Sequence, residues 1–253
     1  LDNAADGKNK RSHKDRVKSF DKLRKKQPFF NIFKGVLRIF YKKPKLINLA
    51  GELPDKYIVV SNHSTKNGPM TLELYFPKKT VKWGAHEMLG NYSTRRNYLK
   101  DIYYIKKRKM SPFFASVCAS FEAAFSFFIY KGMWFIGTFT DTRVRQTLNE
   151  SVACLEQNYG ITIFPENSDE GYFDVVNEFH PGFVLLSSVY KKKTGEDLPV
   201  YPVHYNKRKR LLVIGNPDYV NKMLDDGLSR AEVAEVFRNK INELYYTFVE
   251  KDN

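Results

Sequence analysis

The chain has 253 residues, with 42% hydrophobic and 15% aromatic side chains, enough apolar material for a sizeable core and too much for a wholly disordered chain. Its formal net charge of +14 implies an anionic partner: nucleic acid, an anionic membrane surface or phosphorylated ligands. The only two cysteines, Cys118 and Cys154, have no metal-ligand spacing and cannot make a disulfide framework, so reduced thiols and a cytosolic location are expected.

Residues 1–27 are polar and crowded with Lys and Arg, and their first dozen are expected to be poorly ordered. Residues 28–41 change character. Phe29, Phe33, Val36, Leu37 and Phe40 recur at helical spacing, with Lys34, Arg38 and Lys42 on the other side. That pattern predicts an amphipathic helix, here assigned to a segment 28–45, suited either to the core or to a membrane interface beside the basic run. Residues 57–62 read as a buried strand, with a helix after Pro69, and residues 80–86 as another strand. A basic, tyrosine-rich stretch follows, ending at residues 105–109. Residues 112–139 are the most apolar of the chain, but Glu122, Lys131 and Gly132 interrupt them. They are therefore assigned to a buried or membrane-contacting helix and a strand near Trp134–Phe139 rather than a span.

Further on, residues 142–158 form an amphipathic pattern, 160–166 a strand running into a loop, and 182–193 a helix ending in three lysines. Two strands lie in 197–206 and 210–217, and Ser229 with Glu232 is a capping box opening a final helix. Alternating strands and helices predict an α/β fold: a mixed, mostly parallel sheet flanked by helices, with an N-terminal amphipathic helical segment. The main domain is placed at 46–253.

Candidate chemistry lies just past two predicted strands, where functional groups collect in α/β folds. The first stretch is Asn62, His63 and, further on, Gly68 and Pro69. The second is Phe164, Pro165, Glu166, Asn167 and Ser168. Phe179 and Gly182 follow, then a proline-centred strand around Pro202. His86, His180 and His204 read as ordinary structural histidines.

In order and spacing these stretches resemble the glycerolipid (lysophosphatidic acid) acyltransferase family over roughly residues 30–215. Its first motif is N-H-x-x-x-x-D and its third F-P-E-G-T-R-S. This sequence departs from it at Gly68, where the aspartate stands, at Asn167, where glycine stands, and at Asp169, where arginine stands. Arg143 lies near the arginine of the second motif. The resemblance implies transfer of a fatty acyl group from acyl-CoA or an acyl-carrier-protein thioester to a lysolipid hydroxyl, with no metal and no resident cofactor. His63 is implied as general base, and Glu166 in acceptor binding and site architecture. Asn62, Gly68, Pro69, Arg143, Phe164, Pro165, Asn167 and Ser168 are implied around the substrates. The implied location is peripheral, on the cytoplasmic side of an anionic membrane.

The missing aspartate leaves open what orients His63: a backbone carbonyl, or another acid such as Glu166 or Asp141. Two other readings stand beside the enzyme. One is a catalytically silent lipid-binding member of the same fold. The other is a basic nucleic-acid-binding protein, for which no helix-turn-helix, zinc-finger or RNA-binding signature is present.

Overall fold

A computed structural model describes residues 28–64, 67–139, 141–167 and 171–251. The expectations for residues 1–27, Ser168 and Asp169 lie outside them. Helix α1 (Pro28–Phe40) leads into strands β1 (Lys45–Asn48) and β2 (Ile58–Ser61). Helix α2 (Asn67–Tyr75) and β3 (Thr80–Ala85) follow. A helical hairpin comes next: α3 (Tyr92–Tyr98), continued by a π-helical stretch Leu99–Lys107, then α4 (Pro112–Gly132). The chain continues through β4 (Phe135–Thr138), α5 (Val144–Leu155), β5 (Gly160–Ile163) and α6 (Gly182–Thr194). It closes with β6 (Pro199–Asn206), β7 (Leu211–Ile214), β8 (Asp218–Tyr219), α7 (Val220–Asp225) and α8 (Arg230–Tyr245). The last helix opens with the capping box expected of Ser229 and Glu232.

The sheet runs β1-β7-β6-β2-β5-β3-β4, with β8 on β6. β2 to β6 form a parallel block, while β7 and β8 pair antiparallel with β6. Both faces of that block are covered, which is why its strands are apolar runs rather than alternations. Ile58 and Val60 enter one core with Ile161, Phe183 and Phe237, whereas Val59 points to the other side with Leu72, Tyr201 and Leu212. Pro202 can stand in a central strand because its missing N–H falls in a gap between partners. β8 pairs with residues 199–200, β7 takes over from Val203, and the Pro202 carbonyl accepts Gly215 N–H at 2.8 Å.

Helix α1 forms where the spacing predicts, but its faces are cut differently. Phe30, Phe33 and Leu37 turn inward with Met70, Met133 and Phe135, and Phe30 lies where a side chain on Gly132 would stand. Ile32, Val36, Ile39 and Phe40 are exposed. Lys34, expected on the solvent side, turns in to pair with Glu73, which also pairs with the fully buried Lys82. The reason is electrostatic. Burial pushes the Glu73 carboxyl up, but Lys82 and Lys34 together outweigh it and leave Glu73 below its ordinary value. One carboxylate thus ties α1, α2 and β3 together. Among the described residues no helix is long and apolar enough to cross a membrane.

Candidate active site

The connections from β2 and β5 leave in opposite directions, β2 toward β3 and β5 toward β6. Between such strands a crevice opens at their carboxyl ends. The His63 loop and the Glu166 loop flank this crevice on adjacent parallel strands.

Asn62 is fully buried, and its amide behaves like an extra peptide unit. Its Nδ2 donates to the Tyr205 carbonyl at 3.0 Å, and its Oδ1 accepts Tyr205 N–H at 2.8 Å. The side chain therefore continues the β2–β6 ladder one residue past Ser61, so the backbone can leave the sheet at His63. Asn62 faces the sheet rather than open space, which makes it a positioning residue. The freed His63 N–H donates to Glu166 Oε2 at 2.8 Å. Ser64 then takes a left-handed φ of 42° to turn the chain toward α2.

Glu166 is only 8% exposed. Burial raises its carboxyl to about 7, against the bonds it accepts from the backbone of His63 and Phe173 and the nearby charge of Lys107. Its own backbone is fixed by a bridge to Phe179. Around that bridge the His180 N–H donates to the Pro165 carbonyl at 2.7 Å, and the Asn167 amide Nδ2 donates to Glu178 at 2.8 Å. The residues at 178–180 thus act as a splint for the Glu166 loop.

The His63 ring is held between aromatic rings. Tyr172 stacks on it at 4.8 Å with an interplanar angle of 28°, and Phe164 meets it edge-on at 5.2 Å. Lys107, from the π-helical stretch, reaches over Tyr172 with Nζ 5.8 Å from the ring centre. Tyr172 carries no motif signal, and within the basic run 105–109, a candidate for coenzyme A phosphates or lipid head groups, nothing in the sequence marks Lys107 as the cation that reaches the His63 ring stack.

Gly68 explains the absent aspartate. Its N–H donates to the His63 carbonyl at 3.2 Å. A Cβ at this position would stand 2.5 Å from that carbonyl oxygen and 3.0 Å from the Asn62 carbonyl. Backbone cannot yield as a flexible side chain can, so this loop requires glycine and has no room for an acid. Pro69 sits in the first turn of α2, where a missing N–H costs nothing. The downstream acid Glu73 is committed to its two lysines, and Asp141 is held to about 2 mainly by its bonds from Arg143.

Arg143 is exposed at the start of α5, chelated by Asp141 at 2.6 Å and lying 4.3 Å over the Phe139 ring. It shares the carboxyl end of the sheet with His63, but β4 and β2 are three strand spacings apart, roughly 14 Å. His86, beside Phe139 at 4.4 Å, stands between them at the end of β3. Among the described residues no group of histidine, cysteine and carboxylate side chains is placed to hold a metal ion. Buried His204 donates from Nε2 to the Asp174 carbonyl, 3.0 Å away, inside the fold.

No family model matches the chain, and neither does any curated protein. Among solved structures it is similar to the 1-acyl-sn-glycerophosphate (LPA) acyltransferase PlsC from Thermotoga maritima. The identity is 15%, the match covers 94% of this chain and 83% of that one, and the TM-score is 0.48. The match is distant and transfers no residue roles.

Proposed function

We propose that this protein transfers a fatty acyl group from an acyl thioester to a hydroxyl of a lysolipid-like acceptor, with His63 as general base. The observation that carries this reading is the stitched pair of loops: Glu166 Oε2 holds the His63 backbone across the crevice between β2 and β5. Five side chains in the acyltransferase-like stretches (Asn62, His63, Phe164, Pro165 and Glu166) stand at the carboxyl ends of those adjacent strands or in the loops that leave them.

In this mechanism the acceptor oxygen attacks the thioester carbonyl carbon while the His63 imidazole removes its proton, worth roughly 10²–10⁴ in rate. Collapse of the tetrahedral intermediate breaks the C–S bond. The imidazolium returns the proton to the departing thiolate, so the products are the acylated lipid and a free thiol. No acyl-enzyme forms. The stacked Tyr172 fixes the ring plane and favours the imidazolium by its π-face. Glu166 and Asn62 are positioning residues: they act on His63 through the backbone. Lys107 supplies a cation beside the Tyr172 ring that stacks on His63, and it suits a phosphate of donor or acceptor. Phe164, Pro165, Asn167, Gly68 and Pro69 shape the walls, and Arg143 reaches the far end of a long substrate. The 28–45 segment, through helix α1 (Pro28–Phe40), is the interface element of a peripheral enzyme on the cytoplasmic membrane face, and 46–253 form the catalytic unit.

The test is incubation with acyl-CoA or acyl-carrier-protein thioester and a panel of lysophosphatidate, lysophosphatidylglycerol and a monoacyl glycolipid. Mass spectrometry should show one acceptor gaining an acyl chain with an equal amount of thiol released. Binding of lipid and thioester with no product across the panel would favour the catalytically silent reading, which the filled position beside Gly68 makes the main alternative.

A further inference from the structure

Helix α4 is built inside out. The side that packs on the rest of the hairpin is made of small residues: Ala115, Ala119 and Ala123 are fully buried, and Ser126 nearly so. Polar groups zip that side to α3. Arg96 donates to Ser116 and Ser120 at 2.7 and 2.8 Å, Arg95 donates to the Ala123 carbonyl, and Tyr104 donates to Glu122. The opposite side carries the large apolar groups. Phe113 is 72% exposed, Phe114 62%, Phe121 66% and Phe125 65%, with Val117 between them. Spacings of three and four residues put Phe114, Val117, Phe121 and Phe125 in one row. The hairpin is thus closed without these rings, and water is a poor solvent for a row of three phenylalanines and a valine with Phe113 beside it.

What covers the row is indicated by its charge context. The one acid of α4, Glu122, is turned away to Tyr104. Directly before Phe113, the hairpin tip carries exposed Lys106, Arg108 and Lys109. An apolar row that begins at a cationic tip matches the boundary of an anionic bilayer, in which rings enter the acyl region and ammonium and guanidinium groups stay among the head-group phosphates. We infer that the Phe113–Phe125 face of α4, with the tip 106–109, is a second membrane-docking surface, separate from α1 and specific for anionic bilayers. It rests on the membrane-partner element of the function above, not on acyl transfer. One consequence follows: Lys107 belongs to this tip and leans over Tyr172 on His63. Docking the tip therefore brings the crevice to the lipid surface.

The test uses the full chain and vesicles of phosphatidylglycerol mixed with phosphatidylcholine, or of phosphatidylcholine alone. Phe113→Ser/Phe121→Ser/Phe125→Ser should bind the anionic vesicles at least ~100-fold more weakly while keeping the wild-type melting curve. Lys106→Glu/Lys109→Glu should lose the preference for anionic over neutral vesicles. Phe121→Trp should be quenched by brominated acyl chains. A triple-serine variant that binds as the wild type does overturns the inference. So does one that changes only oligomeric mass in solution, which would make the face a self-contact. Loss of binding in Ile32→Ser/Ile39→Ser alone, with the α4 variants unaffected, also overturns it while leaving membrane association through α1 intact. If the wild type ignores anionic vesicles altogether, both fall. If it binds them through α4 but transfers no acyl group, only the acyltransferase proposal falls.

Discussion

Restoring an acid at position 68 is the obvious repair for a histidine with no motif aspartate, and the geometry says that it fails. A Cβ on Gly68 stands 2.5 Å from the His63 carbonyl oxygen. An ordinary contact of about 3.3 Å requires a displacement of roughly 0.8 Å, and the displaced atom belongs to the backbone of His63. Overpacking of this kind costs about 1–3 kcal/mol, which should move the urea midpoint down by about 1 M. A shift near 1 Å at the base should lower turnover by roughly 10². Gly68→Ala and Gly68→Asp should therefore both lose stability and activity, the aspartate no less than the alanine. The assay pairs urea denaturation with acyl-transfer rate. If Gly68→Asp is as stable as the wild type and turns over faster, the close approach of the loop is wrong and a triad geometry is within reach.

Three further substitutions probe the supports of the site. Asn62→Ala strands the N–H and carbonyl of Tyr205 at a fully buried place. It should cost about 2–5 kcal/mol in urea unfolding, and a loss under about 1 kcal/mol would deny the clamp. Glu73→Gln leaves Lys82, 1% exposed, without its carboxylate. It should cost about 3 kcal/mol, most of it recovered in Glu73→Leu/Lys82→Met. Glu166→Gln keeps an acceptor for the His63 N–H but removes a carboxyl raised from 4.5 to about 7. A raised acid gives stability that is full below pH 4.5 and lost as pH climbs through 7, about 3 kcal/mol when ionisation is complete. The Gln variant should therefore gain on the wild type in melting temperature from pH 5 to pH 8, and a constant difference would contradict the buried-carboxyl account.

The apolar strands and the loops at their ends were legible because they obey local rules. Ile58, Val59 and Val60 form a run that only a doubly covered strand tolerates. Ser229 and Glu232 cap their helix as their spacing demands. Short strands such as Lys45–Asn48 and Asp218–Tyr219 escaped, since four and two residues give no period to read and depend on partners far along the chain. The faces of α1 were misjudged for a similar reason: Lys34 turns inward only because Glu73 and Lys82, on other elements, make a charged site for it. In the crevice, Asn62, His63 and Glu166 could be named from motif order. That Gly68 closes the turn against the His63 carbonyl is a statement about distance. The stack of Tyr172 on His63 depends on a loop folding back more than a hundred residues later, beyond any local signal.

The central claim is that the His63 ring removes a proton from the acceptor hydroxyl. It is tested most directly by the single-turnover rate of acyl transfer from a thioester to lysolipid on anionic vesicles, for the wild type and His63→Ala. The variant should fold and bind vesicles as the wild type does, and its rate should fall by roughly 10²–10⁴. An alanine variant that transfers the acyl chain at the wild-type rate would contradict the assignment of His63 as the base.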